Sequence, residues 1–250
     1  MPRSPRSRIP VAVALALVAV ACAGACDGGG GARTVPMPSS VMEPTLAQGA
    51  RVTVTRPSAW RPVRGEIVAF AWPCDPGKTF VMRIAAVAGD AIEVRCNVPH
   101  INGQAMAQER VAGACRYDEP DDDTPGAGGA ATRREVTCHR YHERQGELSY
   151  DIVLAGDAPE PGVGGGLDFP RGELPRCAGQ GGGGAGDEVA PGVLSAPVDP
   201  ALAPGPCAVQ QRFVVPADTV FVMGDNRDHA SDSRAWGVVP VARLQGRVEP

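Results

Sequence analysis

Apolar and polar positions alternate with a period of two along much of this chain. Residues 51–55, Arg-Val-Thr-Val-Thr, predict a strand with one buried face. Longer apolar runs at residues 66–72 (EIVAFAW), 80–89 (FVMRIAAVAG) and 91–96 (AIEVRC) predict further strands, set apart by Pro, Gly and Asp. The Asn102-Gly103 pair suits a type I′ hairpin turn, in which both central residues take positive φ. Residues 134–143 and 147–154 predict another hairpin, turning around residues 144–146. Beyond residue 30 no stretch carries a helical period, so the expected fold class is mainly β and antiparallel. Two segments break the pattern. The acidic, turn-rich residues 118–131 are expected to form a solvated loop, because Pro and Gly interrupt any calcium-ligand spacing. The Gly- and Pro-rich residues 155–208 are expected to be disordered.

The N-terminus has a pattern of its own. Arg3, Arg6 and Arg8 precede an apolar run over residues 9–25, the order of an export signal. Its 17 residues reach the lower limit for a membrane-spanning helix. Ala19, Ala21, Ala23 and Ala25 offer A-x-A cleavage sites, whereas Cys26 and the DGGGGA that follows resemble a lipoprotein's acylated Cys and tether. Neither Cys22 nor Cys26 has the usual Leu three residues upstream. The expectation is a signal or anchor over residues 1–26 and a Gly-rich tether over 27–35. A retained anchor, a lipid and simple cleavage all remain open. In each case the chain from Asp27 onward lies outside the cytoplasm, on the periplasmic side of the membrane.

Composition narrows the chemistry. A net charge of −4 and a pI near 5.6 offer no footprint for nucleic acid. Lys78 is the only lysine, so any lysine mechanism has one candidate. Six cysteines lie beyond the leader, and their even number in an exported chain suggests disulfides. Cys115 with Cys138 and Cys177 with Cys207 are the expected pairs, because each brackets a loop-like stretch. No pair has the C-x-x-C spacing of a zinc site, so no metal is expected.

Residues 224–240, GDNRDHASDSRAWGVVP, are similar to the C-terminal signature of the bacterial signal peptidase I (leader peptidase) family. Residues 38–54, PSSVMEPTLAQGARVTV, resemble its serine box. Residues 65–70 (GEIVAF) resemble its next strand, residues 80–94 (FVMRIAAVAGDAIEV) its lysine box, and INGQ the Asn-Gly that follows. The resemblance implies a β-rich catalytic domain, here residues 36–90 and 213–250, interrupted by a smaller β-domain over 91–212. It also implies cofactor-free endoproteolytic removal of signal peptides by a Ser-Lys dyad. In that mechanism a buried lysine, its charged form disfavoured by lost hydration, takes the proton of the serine hydroxyl.

Three positions depart from the family pattern. The family nucleophile directly precedes the Met of its box, and Val41 stands there. The lysine base directly precedes Arg83, and Met82 stands there. The serine that hydrogen-bonds the lysine amine is replaced by Ala230. Ser39 falls at the auxiliary oxyanion position, while Asp225, Asp232 and Arg234 match the bracing residues. Neither an isopropyl group nor a thioether can do the dyad's work.

The expectation is therefore a non-catalytic relative. Its groove, along Pro38, Ser40, Met42, Phe80 and Ile84, would take an extended polypeptide by strand addition. One alternative is an endopeptidase using Ser40 or Ser39 with Lys78 or His229; another is an envelope lipoprotein without groove or chemistry. Against relocation, adjacent side chains on an extended segment point to opposite faces, so Ser40 would not share Val41's face. Lys78, at about 3.3 Å per residue, would also sit roughly 13 Å from position 82.

Overall fold

The computed structural model describes residues 31–125, 131–163, 168–177, 193–197, 205, 207, 208 and 211–249. Within them the chain forms three antiparallel sheets. The first has seven strands: β1 (Arg33–Pro36), β2 (Arg51–Thr55), β3 (Ile67–Trp72), β4 (Asp75–Val87), β14 (Thr219–Met223), β15 (Val239–Pro240) and β16 (Leu244–Glu249). Their spatial order is β1-β2-β16-β3-β4-β14-β15. The C-terminal strand thus lies between β2 and β3, and β14 pairs with β4. In β2 the alternation works as expected, with Val52 and Val54 buried beside exposed Arg51 and Thr53.

The second sheet has the order β12-β13-β5-β6-β7. It contains β5 (Ala91–Arg95), β6 (Val98–Ile101), β7 (Gln104–Ala105), β12 (Val193–Leu194) and β13 (Phe213–Val214). The β6–β7 turn is the Asn102-Gly103 pair, at φ 55° and 81°, as a type I′ turn requires. The core of this sheet, around Ile92, Val94, Phe169 and Phe213, is continuous with Ala85, Ala86 and Phe221 of the first.

The third sheet contains β8 (Ala107–Arg110), β9 (Cys115–Pro125), β10 (Ala131–Gln145) and β11 (Leu148–Ala155). The long β10 pairs with β9 and then β8 along one edge, and with β11 along the other. Gly146 (φ 61°) opens the two-residue β10–β11 turn where the sequence places it.

Three expectations need correction. Residues 118–125 are not loop but the second half of β9. Asp118 lies opposite Glu135 and Glu119 opposite Arg134. Asp118 and Glu119 are met by basic residues of the facing strand, in the ion pairs Arg133–Asp118 and Arg134–Glu119, and Arg116 of β9 pairs in turn with Glu135 of β10. Opposite charges facing across a ladder stabilise a strand that its composition alone disfavours. The tip of this hairpin, residues 126–130, lies outside the described residues.

Secondly, Cys115–Cys138 forms as expected between directly opposed residues, but Cys177 does not pair with Cys207. Cys177 joins Cys74 beside the β3–β4 turn, and Cys207 joins Cys96 at the β5–β6 turn, at sequence separations of 103 and 111. Closing loops of about 100 residues removes roughly 4–5 kcal/mol of unfolded-chain entropy each in the loop-closure account, more than a local bridge would.

Thirdly, the described parts of residues 155–208 are docked, not disordered. Phe169 is buried, exchanges two backbone hydrogen bonds with Val94 (2.7 and 2.9 Å) and packs its ring on Phe213 and Phe221. Val193 and Leu194 pair with β13. The remainder of that stretch lies outside the described residues, as do the leader and residues 27–30 of the expected tether, whose residues 33–35 belong to β1.

Candidate functional site

The segment after β1 carries the serine-box sequence. It is not extended: residues 41–45 form a tight turn in which the Glu43 N–H donates to the Ser40 carbonyl (3.0 Å) and Leu46 N–H to Met42 carbonyl (2.8 Å). The turn separates the side chains more completely than strand alternation would. Met42 is fully buried, and so is Ser40, whose hydroxyl has no hydrogen-bond partner. Val41 faces outward.

What Val41 faces is a cavity of about 440 Å³. One wall is Val35, Met37, Pro38, Ser39 and Val41; the other is Thr79, Phe80, Val81 and Met82, and His229 and Ser231 complete it. Of the five residues expected along a groove, Pro38 and Phe80 line this cavity. Ser40, Met42 and Ile84 do not; all three are at 0% exposure in the core beneath it. Ile84 is out of reach because β14 pairs with β4 from Arg83 onward, Met223 opposite Arg83 and Val222 opposite Ile84. Before that point, along residues 79–82, β4 pairs with β3 alone. The cavity therefore runs between two strand edges, those of β1 and of β4, that have no partner among the described residues.

Val41 and Met82, the two residues singled out by the serine-box and lysine-box resemblance, both line this space. Ala230 is brought to the same corner through Gly224. A Cβ placed on Gly224 would lie 2.4 Å from the Ala230 Cβ and 2.7 Å from the Val41 carbonyl oxygen, so only glycine permits this approach. Backbone bonds tie the corner together: Asn226 N–H to the Val41 carbonyl and Ala230 N–H to the Asn226 carbonyl, both 3.0 Å. The methyl of Ala230 contributes to a second cavity, shared with Asp232, Arg234 and residues 168–176.

The candidate bases are engaged elsewhere. Lys78 Nζ lies 3.3 Å from Asp75 and 5.5 Å over the Trp72 ring, with its side chain mostly in solvent. His229 reaches the cavity, but its Nδ1 is 3.1 Å from a Glu119 carboxylate oxygen. Ser39 lines the same cavity, half-buried, with no hydrogen bond joining it to His229.

Beneath the cavity lies a buried ionic frame. Arg83 makes a two-pronged bond to Asp225, Nε to Oδ1 at 2.8 Å and a terminal nitrogen to Oδ2 at 2.6 Å. The Thr45 hydroxyl donates to the same Oδ2, and the Tyr150 ring lies 4.2 Å from the guanidinium. Burial alone would lower the Arg83 pKa, but the hydrogen bond and charge of Asp225 carry it above its ordinary value. Asp232 caps the short helix α1 (Ser233–Trp236), accepts from Gly224 N–H (3.1 Å) and holds Arg234. Arg227 and Glu143 form a second two-pronged pair, wholly buried, which ties β10 to this corner. Of this frame, Asp225, Asp232 and Arg234 were legible in the sequence; Thr45, Tyr150 and the Arg227–Glu143 pair were not. The available signal was Arg83 itself, since a basic residue inside an apolar strand demands a carboxylate.

The family model described as signal peptidase, peptidase S26 matches residues 9–153 and 201–250. The chain belongs to this signal peptidase family. Signal peptidase I of Aquifex aeolicus is 28% identical over 227 residues, covering 86% of this chain and 73% of the relative. Signal peptidase I of Pseudomonas fluorescens is 24% identical over 236 residues, covering 84% of this chain but only 61% of the relative. A crystal structure of a signal peptidase I from Enterococcus faecalis covers 77% of this chain at 18% identity, with a TM-score of 0.32, too low to bear on the site. Within this signal peptidase relative, the site corner is assembled from β1, β4 and the residues 224–234 that follow β14. No described helix is long and apolar enough to cross a membrane.

Proposed function

We propose that this member of the signal peptidase family holds extended polypeptide in the groove between β1 and β4 without cleaving it. The observation that carries the reading is that Val41 and Met82 line the groove together, leaving neither nucleophile nor base where the family places its dyad. Loss of nucleophile or base alone removes on the order of 10⁶-fold in turnover in a comparable serine hydrolase. The free edge of β4 at residues 79–82 offers main-chain donors and acceptors for an added strand, and the apolar lining offers contact for its side chains. The buried Ser40 hydroxyl cannot reach a substrate, and Lys78 is held by Asp75 away from both serines. Residues 1–26 would tether the domain by membrane anchor or lipid, with the groove outside the cytoplasm and open to chains leaving the membrane.

The second reading, a relocated endopeptidase, draws on one observation: Ser39 and His229 line the same groove. Both are tested by incubating the full chain with a secretory preprotein. The expected result is retention of a fluorescent signal peptide, measured by anisotropy, with the preprotein intact. Binding should weaken on Val41→Asp, which places a charge on an apolar wall. Preprotein cleavage that disappears on Ser39→Ala or Ser40→Ala would overturn the reading; absence of both binding and cleavage would leave a scaffold protein.

A further inference from the structure

On the outer face of the third sheet, away from the groove, three residues of the β10–β11 hairpin are joined in a relay. The Ser149 hydroxyl is 2.7 Å from His142 Nε2, and His142 Nδ1 is 2.7 Å from Asp151 Oδ1. Strand register brings them together. His142 lies directly opposite Asp151, and Ser149 lies opposite Arg144, two residues along on the same face. That diagonal spacing is within reach of an imidazole.

The relay fixes its own proton positions. An ionised carboxylate only accepts, so Nδ1 of the neutral ring carries the proton toward Asp151, and Nε2 is left to accept from the Ser149 hydroxyl. Asp151 is well suited to remain ionised. Partial burial would raise its pKa, but hydrogen bonds from His142 and Arg140 bring it below the ordinary value. Arg140 bonds the other carboxylate oxygen, Oδ2 (2.7 Å from Nε), so it does not compete for the atom that orients the imidazole. Ser149 is exposed and His142 half-exposed, so both reach solvent. The hairpin is held rigidly from beneath. Val153 N–H donates to the Asp225 carbonyl and Arg227 N–H to the Val153 carbonyl, each at 3.0 Å, and Tyr150 packs under Arg83.

We propose that Ser149, His142 and Asp151 form a solvent-facing acyl-transfer centre, separate from the groove, acting on small activated esters. A nucleophile bonded to a base, which is bonded to an orienting carboxylate, is the arrangement such chemistry requires whatever the fold. Ser149 Oγ attacks the ester carbonyl carbon while its proton passes to Nε2. The tetrahedral oxyanion that forms is met by Arg144, the cross-strand neighbour of Ser149, and by outward N–H groups of β11, whose far edge along residues 148–151 has no strand partner among the described residues. Collapse breaks the carbon–oxygen bond to the leaving alcohol, which takes the proton back from the imidazolium. Water, deprotonated by Nε2, then attacks the acyl-Ser149, releasing the carboxylic acid and restoring the hydroxyl. The centre has no enclosing pocket, which limits it to small substrates with good leaving groups. The proposal does not depend on the groove.

The test treats the full chain with an alkyl fluorophosphonate, which forms a Ser–O–P bond with loss of hydrogen fluoride, followed by peptide mapping; p-nitrophenyl acetate turnover is measured in parallel. The expected adduct is on Ser149, and it forms about 100-fold or more slowly in His142→Ala, the usual contribution of a general base. Asp151→Asn should slow it as well, with thermal unfolding of each variant showing that the fold is kept. No adduct on Ser149, or an adduct that forms equally fast in His142→Ala, overturns the proposal. So does labelling confined to Ser39 or Ser40, which would instead bear on the groove.

Discussion

Two layers of one corner have been treated differently. The groove lining at Val41 and Met82 is hydrocarbon and thioether, with the Ala230 methyl close by, whereas the layer beneath is densely ionic: Arg83–Asp225, Arg227–Glu143 and Arg234–Asp232. The difference follows from what each charge would have for company. A lone amine facing an apolar wall is disfavoured by desolvation, so once cleavage is not needed its replacement by methionine relieves the fold. A charge whose partner is already buried cannot be removed singly, because the survivor is stranded. Catalytic groups of this kind are expendable; the frame that aims them is not.

The sharpest attempt to break that contrast is to reverse the upper layer. Val41→Ser with Met82→Lys and Ala230→Ser, assayed with a preprotein, is expected to yield cleavage where the starting chain gives none. The difference should reach a sizeable part of the roughly 10⁶-fold that such a pair supplies, and a silent triple variant would mean that the groove itself has changed. Next in size is the lower layer. Glu143→Gln leaves the Arg227 guanidinium buried without its counter-charge, and denaturant unfolding should show a loss of about 3–5 kcal/mol. Gly224→Ala joins the layers: its methyl meets Ala230 and the Val41 carbonyl, so about 1–3 kcal/mol of stability should go, with signal-peptide affinity falling as Val41 is displaced.

Two smaller effects sharpen the picture. Ser40→Ala removes a buried hydroxyl without a partner, so thermal unfolding should show it neutral or stabilised by up to about 1 kcal/mol. Asp151, outside the corner, sets the scale for an accessible pair. Its folded pKa lies below its unfolded value, so its contribution is present above about pH 4 and disappears as pH falls through the folded value. Unfolding curves of the parent and Asp151→Asn should therefore converge in acid and differ by less than about 1 kcal/mol at neutral pH.

The sequence was most readable where one strand suffices. The alternation at residues 51–55 and the Asn102-Gly103 turn need no knowledge of the rest of the chain. It misled where a distant partner decides. Residues 118–125 have the composition of a loop, and pairing with β10, where Arg133 and Arg134 meet Asp118 and Glu119, holds them as a strand. Ser40 was expected along the groove, but the turn over residues 41–45 holds it in the core while Val41 beside it faces outward. The Arg227–Glu143 pair joins segments 84 residues apart, and neither residue advertises burial. Val41 and Met82 could be singled out because they sit beside recognisable neighbours, Met42 and Arg83; the walls of the groove, from Val35 to Ser231, depend on which strand edges remain unpaired.

The Cys96–Cys207 disulfide makes the chain tolerant of a nick. A protease cutting anywhere in residues 178–206 would produce two polypeptides, yet Cys96 and Cys207 fall on opposite sides of the break and keep them in one molecule. Strands β14 to β16, which complete the seven-stranded sheet beside the groove, would stay attached until a reductant entered.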